Sequence, residues 1–188
     1  MKTSLILFIF TLTSFGLQAN NTPNTDLSKA KSLTIETHTW KASSIVVKIR
    51  QADGTVILEE TVKTGNLRKY NLKNLPAGDY VLEMSDKFRI TEQSFSIKQE
   101  AVQLATDVAT TFKPVIANKN NSVDVNLMTQ GKEAFVSIFD TKGETLFEEK
   151  CERTSVHRRY DISRLPAGEY TVFVQLGGRS FTEKVQKN

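Results

Sequence analysis

The sequence predicts an all-β protein made of two tandem small β-sandwich domains, and three observations predict it. The eleven residues Tyr70-Asn71-Leu72-Lys73-Asn74-Leu75-Pro76-Ala77-Gly78-Asp79-Tyr80 return as Tyr160-Asp161-Ile162-Ser163-Arg164-Leu165-Pro166-Ala167-Gly168-Glu169-Tyr170, with six of the eleven positions identical. Self-similarity at a fixed offset is the mark of a duplicated unit. Around both copies, apolar and polar residues alternate with period two, the pattern of a half-buried strand. No segment carries a sustained helical period with caps. Short strand-like runs, about ten residues apart and separated by turn signals, indicate sandwiches.

The elements follow in chain order. Lys2, an apolar run that begins Leu5-Ile6-Leu7-Phe8-Ile9-Phe10 and continues to Leu17, and Gln18-Ala19 before the polar Asn20 have the layout of a secretory signal over 1–19. Thr and Ser interrupt the run, which is short for a membrane span, so no transmembrane segment is expected once the signal is removed. No cysteine follows it to carry a lipid. Residues 20–31 form a polar leader holding Pro23. The first sandwich is expected over 32–105. Its first strand starts at Leu33 and Ile35 and reaches toward Trp40. Ile45, Val47 and Ile49 make the inward face of the next strand. Gln51-Ala52-Asp53-Gly54 turns a hairpin, Thr55 to Val62 returns, and Arg89 to Ile97 closes the unit.

The second sandwich, over 110–188, repeats this course. Val123, Val125 and Leu127 open it, and Phe135 to Phe139 follows. Asp140-Thr141-Lys142-Gly143 turns, Glu144 to Cys151 returns, and Ser180 to Gln186 closes. Between the units, Val102 to Thr111 is placed to complete the first sandwich, and Phe112 with Pro114-Val115-Ile116 to open the second. Each repeated motif reads as strand, corner, strand. Leu75-Pro76-Ala77-Gly78 and Leu165-Pro166-Ala167-Gly168 are expected to form a type I turn, with proline pre-setting φ and glycine accepting a positive one. Tyr70, Tyr80, Tyr160 and Tyr170 are assigned to packing. A tyrosine just past the corner resembles the tyrosine corner of immunoglobulin-like and fibronectin-like sandwiches.

Composition limits the function. Lys and Arg number 25 against 21 Asp and Glu, a net charge of +4, with the charge spread over both halves. That excess is too small and too dispersed to imply nucleic acid. Cys151 is the single cysteine, so no intrachain disulfide can form. Adjacent residues of a strand face opposite ways, so neither Glu59-Glu60 nor Glu148-Glu149 can flank one substrate bond; both pairs read as sheet-surface charges. Cys151 aligns with Val62 and reads as a small buried apolar residue. His38 and His157 have no second ligand at a metal spacing. No cofactor, metal site or catalytic residue is expected. Two weaker candidates for ligand binding stand out. Trp40 shares a strand face with His38, away from Leu33 and Ile35, and offers a stacking platform for a sugar, against the plainer reading of packing at a domain edge. His157-Arg158-Arg159 offers a contact for an anion or acidic polysaccharide, against the plainer reading of a solvated strand surface.

The corner motif, the Ile138-Phe139-Asp140-Thr141-Lys142-Gly143 hairpin and the closing Arg179-Ser180-Phe181-Thr182-Glu183-Lys184-Val185 resemble a known family. They look like the C-terminal sorting domains of the bacterial type IX secretion system, which are small immunoglobulin-like β-sandwiches. The resemblance spans 122–188 and, more weakly, 33–98. It implies export across the outer membrane, with the domain acting as an address on a passenger. The remainder of this chain is another copy of the same module, and that favours an exported, non-enzymatic interaction or cell-envelope module, secreted, periplasmic or at the cell surface. The alternative is a minimal secretion cargo whose second domain is the signal. A cell-envelope protein, a glycan and the secretion machinery are the partner classes that fit, with binding carried by sandwich edges and end loops.

Overall fold

The computed structural model describes residues 31–99, 101–119 and 121–188, and all regular structure among them is β-strand. The expected signal over 1–19, and the leader apart from Lys31, lie outside the described residues. The first unit comprises β1 (Ser32–Glu36), β2 (Ser44–Gln51), β3 (Val56–Lys63), β4 (Leu67–Asn71), β5 (Gly78–Ser85), β6 (Arg89–Lys98) and β7 (Ala101–Phe112). The second comprises β8 (Val115–Lys119), β9 (Ser122–Met128), β10 (Ala134–Phe139), β11 (Thr145–Cys151), β12 (Ser155–Asp161), β13 (Gly168–Leu176) and β14 (Arg179–Lys187).

Each unit is a sandwich of two antiparallel sheets. The first packs β1-β4 against the five-stranded order β3-β2-β5-β6-β7, and the second packs β12-β9-β8 against β11-β10-β13-β14. Inward residues of both layers build each core. In the first, Leu33 and Ile35 from one sheet meet Ile45, Val47, Ile49, Leu82 and Met84 from the other. In the second, Val123, Val125 and Leu127 meet Val136, Ile138, Val172 and Val174. Leu33, Ile35, Ile45, Val47, Ile49, Val123, Val125 and Leu127 among them are residues that the sequence places on these strands. Cys151 is buried opposite Ala134, as Val62 is opposite Ile45, and burial pushes its thiol pKa up.

The stretch between the units divides at Lys113-Pro114. β7 pairs with β6 as far as Phe112 opposite Arg89, past the expected end at 105. Pro114 has no N–H to continue a ladder, and the Lys113 N–H turns to the Phe88 carbonyl at 2.7 Å. Val115 then pairs with Asn126 in the second unit. Phe112 therefore closes the first sandwich and does not open the second. Within β7, Ala105 to Asp107 bulge opposite Ser94, and the Gln93 amide donates to the Ala105 carbonyl at 2.7 Å.

The corner differs from the expected geometry in one respect. The hydrogen-bonded turn lies one step upstream of the proline: Leu75 N–H donates to Leu72 O at 3.0 Å, and Leu165 N–H to Ile162 O at 3.1 Å. The reason is local. Asn71 Oδ1 accepts from Lys73 N–H at 3.1 Å and Asp161 Oδ1 from Ser163 N–H at 2.8 Å, so each side chain nucleates its own turn. Leu-Pro-Ala then bends, at Leu75 and Ala77 and again at Leu165 and Ala167, before the next strand starts at the glycine, with Gly78 at φ +157° and Gly168 at φ +156°, a region that glycine alone enters readily. The tyrosine past the corner ties this segment down. Tyr80 donates its hydroxyl to Pro76 O at 2.8 Å, and Tyr170 to Pro166 O at 2.7 Å.

Candidate functional site: latches, corners and the junction of the sandwiches

The second members of the two glutamate pairs face inward. On β3, Leu58, Glu60 and Val62 share a side, and on β11 Phe147, Glu149 and Cys151 do. At the open flank of each sandwich the carboxylate meets an arginine from the opposite sheet. Glu60 accepts from Arg68 Nε at 2.9 Å and Nη2 at 2.8 Å. Glu149 accepts from Arg158 Nε at 2.5 Å and from the Tyr160 hydroxyl at 3.3 Å. Tyr70 and Tyr160 are buried beside these pairs, and burial first, then the carboxylate, raises both phenol pKa values. The duplicated Glu-Arg pair is a latch that closes the gap between edge strands with charge-assisted bonds; the Tyr160 hydroxyl joins it in the second sandwich, whereas the Tyr70 hydroxyl is buried without a hydrogen-bond partner. Glu59 remains a surface charge, 3.2 Å from Lys48. The sequence carried the acid and the arginine at matching places in both copies, but nothing in it joined them as a pair.

The basic run does not form one patch. Strand alternation sends Arg158 to Glu149 and sends His157 and Arg159 outward. Arg159 makes a bidentate pair with Asp124 through Nε at 2.6 Å and Nη2 at 2.9 Å, and Asp124 is only 4% exposed. His157 Nδ1 lies 2.6 Å from Asn126 Oδ1. Both guanidiniums thus have carboxylate partners within the domain. Trp40 departs from its expected face because β1 stops at Glu36. The Trp40 N–H donates to Thr37 O at 3.2 Å in a turn, which re-aims the ring into the core at 4% exposure. The Arg89 guanidinium covers the ring, 4.2 Å from its centroid, so no face is open for a sugar.

Arg68 holds the Glu60 carboxyl below its ordinary value, and Arg159 does the same for Asp124. A carboxyl with a depressed folded pKa contributes stability above its unfolded value and loses it as pH falls through the folded one. Urea midpoints of both sandwiches are therefore expected to drop as pH falls below the carboxylate range. In Glu60→Gln the first sandwich should show a shallower acid slope, and in Asp124→Asn the second should. Slopes identical to the parent would show that these pairs do not set acid stability.

The junction carries surface features that the sequence did not bring together. Phe88, Val115 and Met128 are 58%, 48% and 50% exposed, three of the six large apolar residues that reach solvent among the described residues. Two hollows of about 560 and 290 Å³ share Phe88, Lys113 and Val115, and His157 lines the second. Burial lowers the Lys113 pKa, and Lys87 Nζ stands 5.8 Å from the centroid of the Phe88 ring. Among the described residues no three His, Cys, Asp or Glu side chains converge as metal ligands, and no helix is long and apolar enough to cross a membrane.

Two small antiparallel sandwiches, each with a tyrosine corner and a glutamate–arginine latch at its flank, define a tandem immunoglobulin-like protein. The family described as a secretion system C-terminal sorting domain matches residues 29–98 and again 115–188. The chain belongs to that family, with one copy in each sandwich, and membership implies an exported protein addressed to the cell surface by the type IX system. A comparison with curated proteins finds no match. Among solved structures, the BSP domain of a biofilm associated protein aligns at 14% identity and a TM-score of 0.32, covering 87% of this chain and 29% of that one. The chain spans less than a third of that structure's length.

Proposed function

We propose that this protein is a non-enzymatic cell-envelope module whose partner contacts are made at the junction of its two sandwiches. The observation that supports this is the clustering of Phe88, Val115 and Met128 around the Lys113-Pro114 connection. Contiguous apolar surface on an exported domain is costly unless a partner covers it, and phenylalanine and methionine are enriched in protein–protein interfaces. A protein partner in the envelope suits this surface better than a glycan, because Trp40 has no open face. The test is capture from envelope extract by the mature protein and by Phe88→Ser/Met128→Ser. A species retained by the parent and lost with the variant supports the junction. Equal retention by both removes it.

A second reading is that the C-terminal sandwich is a working sorting signal and the chain is its own minimal cargo. The match of residues 115–188 to the sorting family favours it. Residues 110–188 fused to a reporter, in a host with the type IX system, should bring the reporter to the surface. Retention in the periplasm rules this reading out and leaves the first intact.

A further inference from the structure

We propose that Arg179 is the pin of a clasp that fixes the two sandwiches as one rigid body. The clasp begins with an electrostatic problem in the first sandwich. Glu83 on β5 and Glu92 on β6 are direct cross-strand partners, and like charges placed opposite one another destabilise a sheet. Glu83 is only 8% exposed, so water does little to relieve the repulsion. Arg50, on neighbouring β2, bonds to Glu92 and lies 3.7 Å from Glu83. Lys48 is the cross-strand partner of Glu83 but turns its ammonium to Glu59 at 3.2 Å, and Lys113 adds a more distant positive charge, so of these cations Arg50 is the one that bonds between the two carboxylates.

The second sandwich supplies a further cation at bonding distance. Arg179 opens β14, directly after the Gly177-Gly178 hairpin tip, and reaches across the junction. Its Nη2 stands 2.8 Å from Glu83 Oε2 and 2.7 Å from Glu92 Oε1. Two guanidiniums now face two carboxylates, with the bonds largely screened from solvent, where such pairs are strongest. Removing one partner would strand a buried charge, the costly outcome for such a network.

The two copies show that this contact is not a demand of the fold. The pair that matches Glu83 and Glu92 in the second sandwich is Phe173 opposite Thr182, which could not hold an arginine this way. The residue that matches Arg179 in the first sandwich is Arg89, whose guanidinium lies over Trp40 in its own domain. An arginine at the same place thus serves inside a module in the first copy and between modules in the second.

Two further features restrict the junction. Lys132 Nζ donates to Thr111 Oγ1 on β7 at 2.9 Å, and its side chain crosses Gly177, where a Cβ would stand 2.7 Å from Lys132 Cδ. Gly177, at φ +56°, is therefore the residue that lets the lysine pass. The connection between β7 and β8 is Lys113-Pro114 alone, and proline holds φ near one value. The inference is independent of any sorting role. It means that the junction hollows keep one shape.

Residual dipolar couplings on the full chain read this directly. One alignment tensor should fit amides of both sandwiches in the parent. In Arg179→Ala, and in the shape-preserving Glu83→Gln/Glu92→Gln, the single fit should be lost and each sandwich should need its own tensor. Lys184→Ala removes a surface pair with Glu169 and should keep the single fit. Strand-amide shifts in each sandwich confirm that a variant is folded. If the parent itself needs two tensors, or if both clasp variants still fit one, the clasp is not what fixes the pair.

Discussion

Tyr170→Ala should cost the second sandwich about 3–5 kcal/mol, the range for truncating a buried aromatic side chain. That is a large share of the roughly 5–15 kcal/mol that holds a small domain together. The comparison with Tyr170→Phe divides the effect. The ring packs in the core, and the hydroxyl donates to Pro166 O at 2.7 Å. Losing the hydroxyl alone should cost about 1 kcal/mol, the net value of one intramolecular hydrogen bond. Tyr80 occupies the same place in the first sandwich, donating to Pro76 O at 2.8 Å and stacking on Phe95 with centroids 5.3 Å apart. Tyr80→Ala should therefore match Tyr170→Ala in size while acting on the first sandwich. Urea midpoints followed by reporters in each domain make the measurement. If Tyr170→Phe proves as damaging as Tyr170→Ala, the hydroxyl bond dominates and the packing argument fails.

Ile138→Ala should cost about 2–5 kcal/mol, the usual penalty for deleting a fully buried aliphatic chain and leaving a cavity. Ile138 is 0% exposed at the middle of the second core. A contrasting variant tests the register. Phe173 lies on neighbouring β13 and points to the opposite face, where it meets Phe139 with centroids 6.4 Å apart. Although it is the larger side chain, Phe173→Ala should cost less, because the outward face is only partly covered. Both variants should shift the midpoint without changing the urea slope, since the surface exposed on unfolding hardly changes. A larger penalty for Phe173 would mean that the outward face is covered in solution, and the inside and outside of this sheet would need to be reassigned.

Much of the sandwich was legible because strands speak through short-range pattern. Ile45, Val47 and Ile49 alternate and are buried, and so do Val123, Val125 and Leu127. The hairpins at Gly54 and Gly143 were legible because only a residue tolerant of positive φ suits those turns, and both glycines have one, at +93° and +82°. Trp40 was misread because parity holds only while a strand continues, and β1 ends four residues before it. The proline turn was displaced because Asn71 and Asp161 offer the backbone a competing partner. The arginines of the basic run were visible as charges, but not as members of pairs. Arg159 finds Asp124 35 residues away, and no local rule reports such a distance.

The sequence by itself determined that this chain is all-β, that it is duplicated, and that each half closes around a tyrosine corner. Those properties live in alternation, in turn chemistry and in a repeated motif, all of which act over a few residues. Only the tertiary structure decided which acid meets which arginine, that Phe88, Val115 and Met128 gather at one place, and that Arg179 reaches Glu83 across 96 positions of chain. Long-range pairing depends on how strands stack and how one module sits on the next. Coulomb attraction between side chains is indifferent to their separation in sequence.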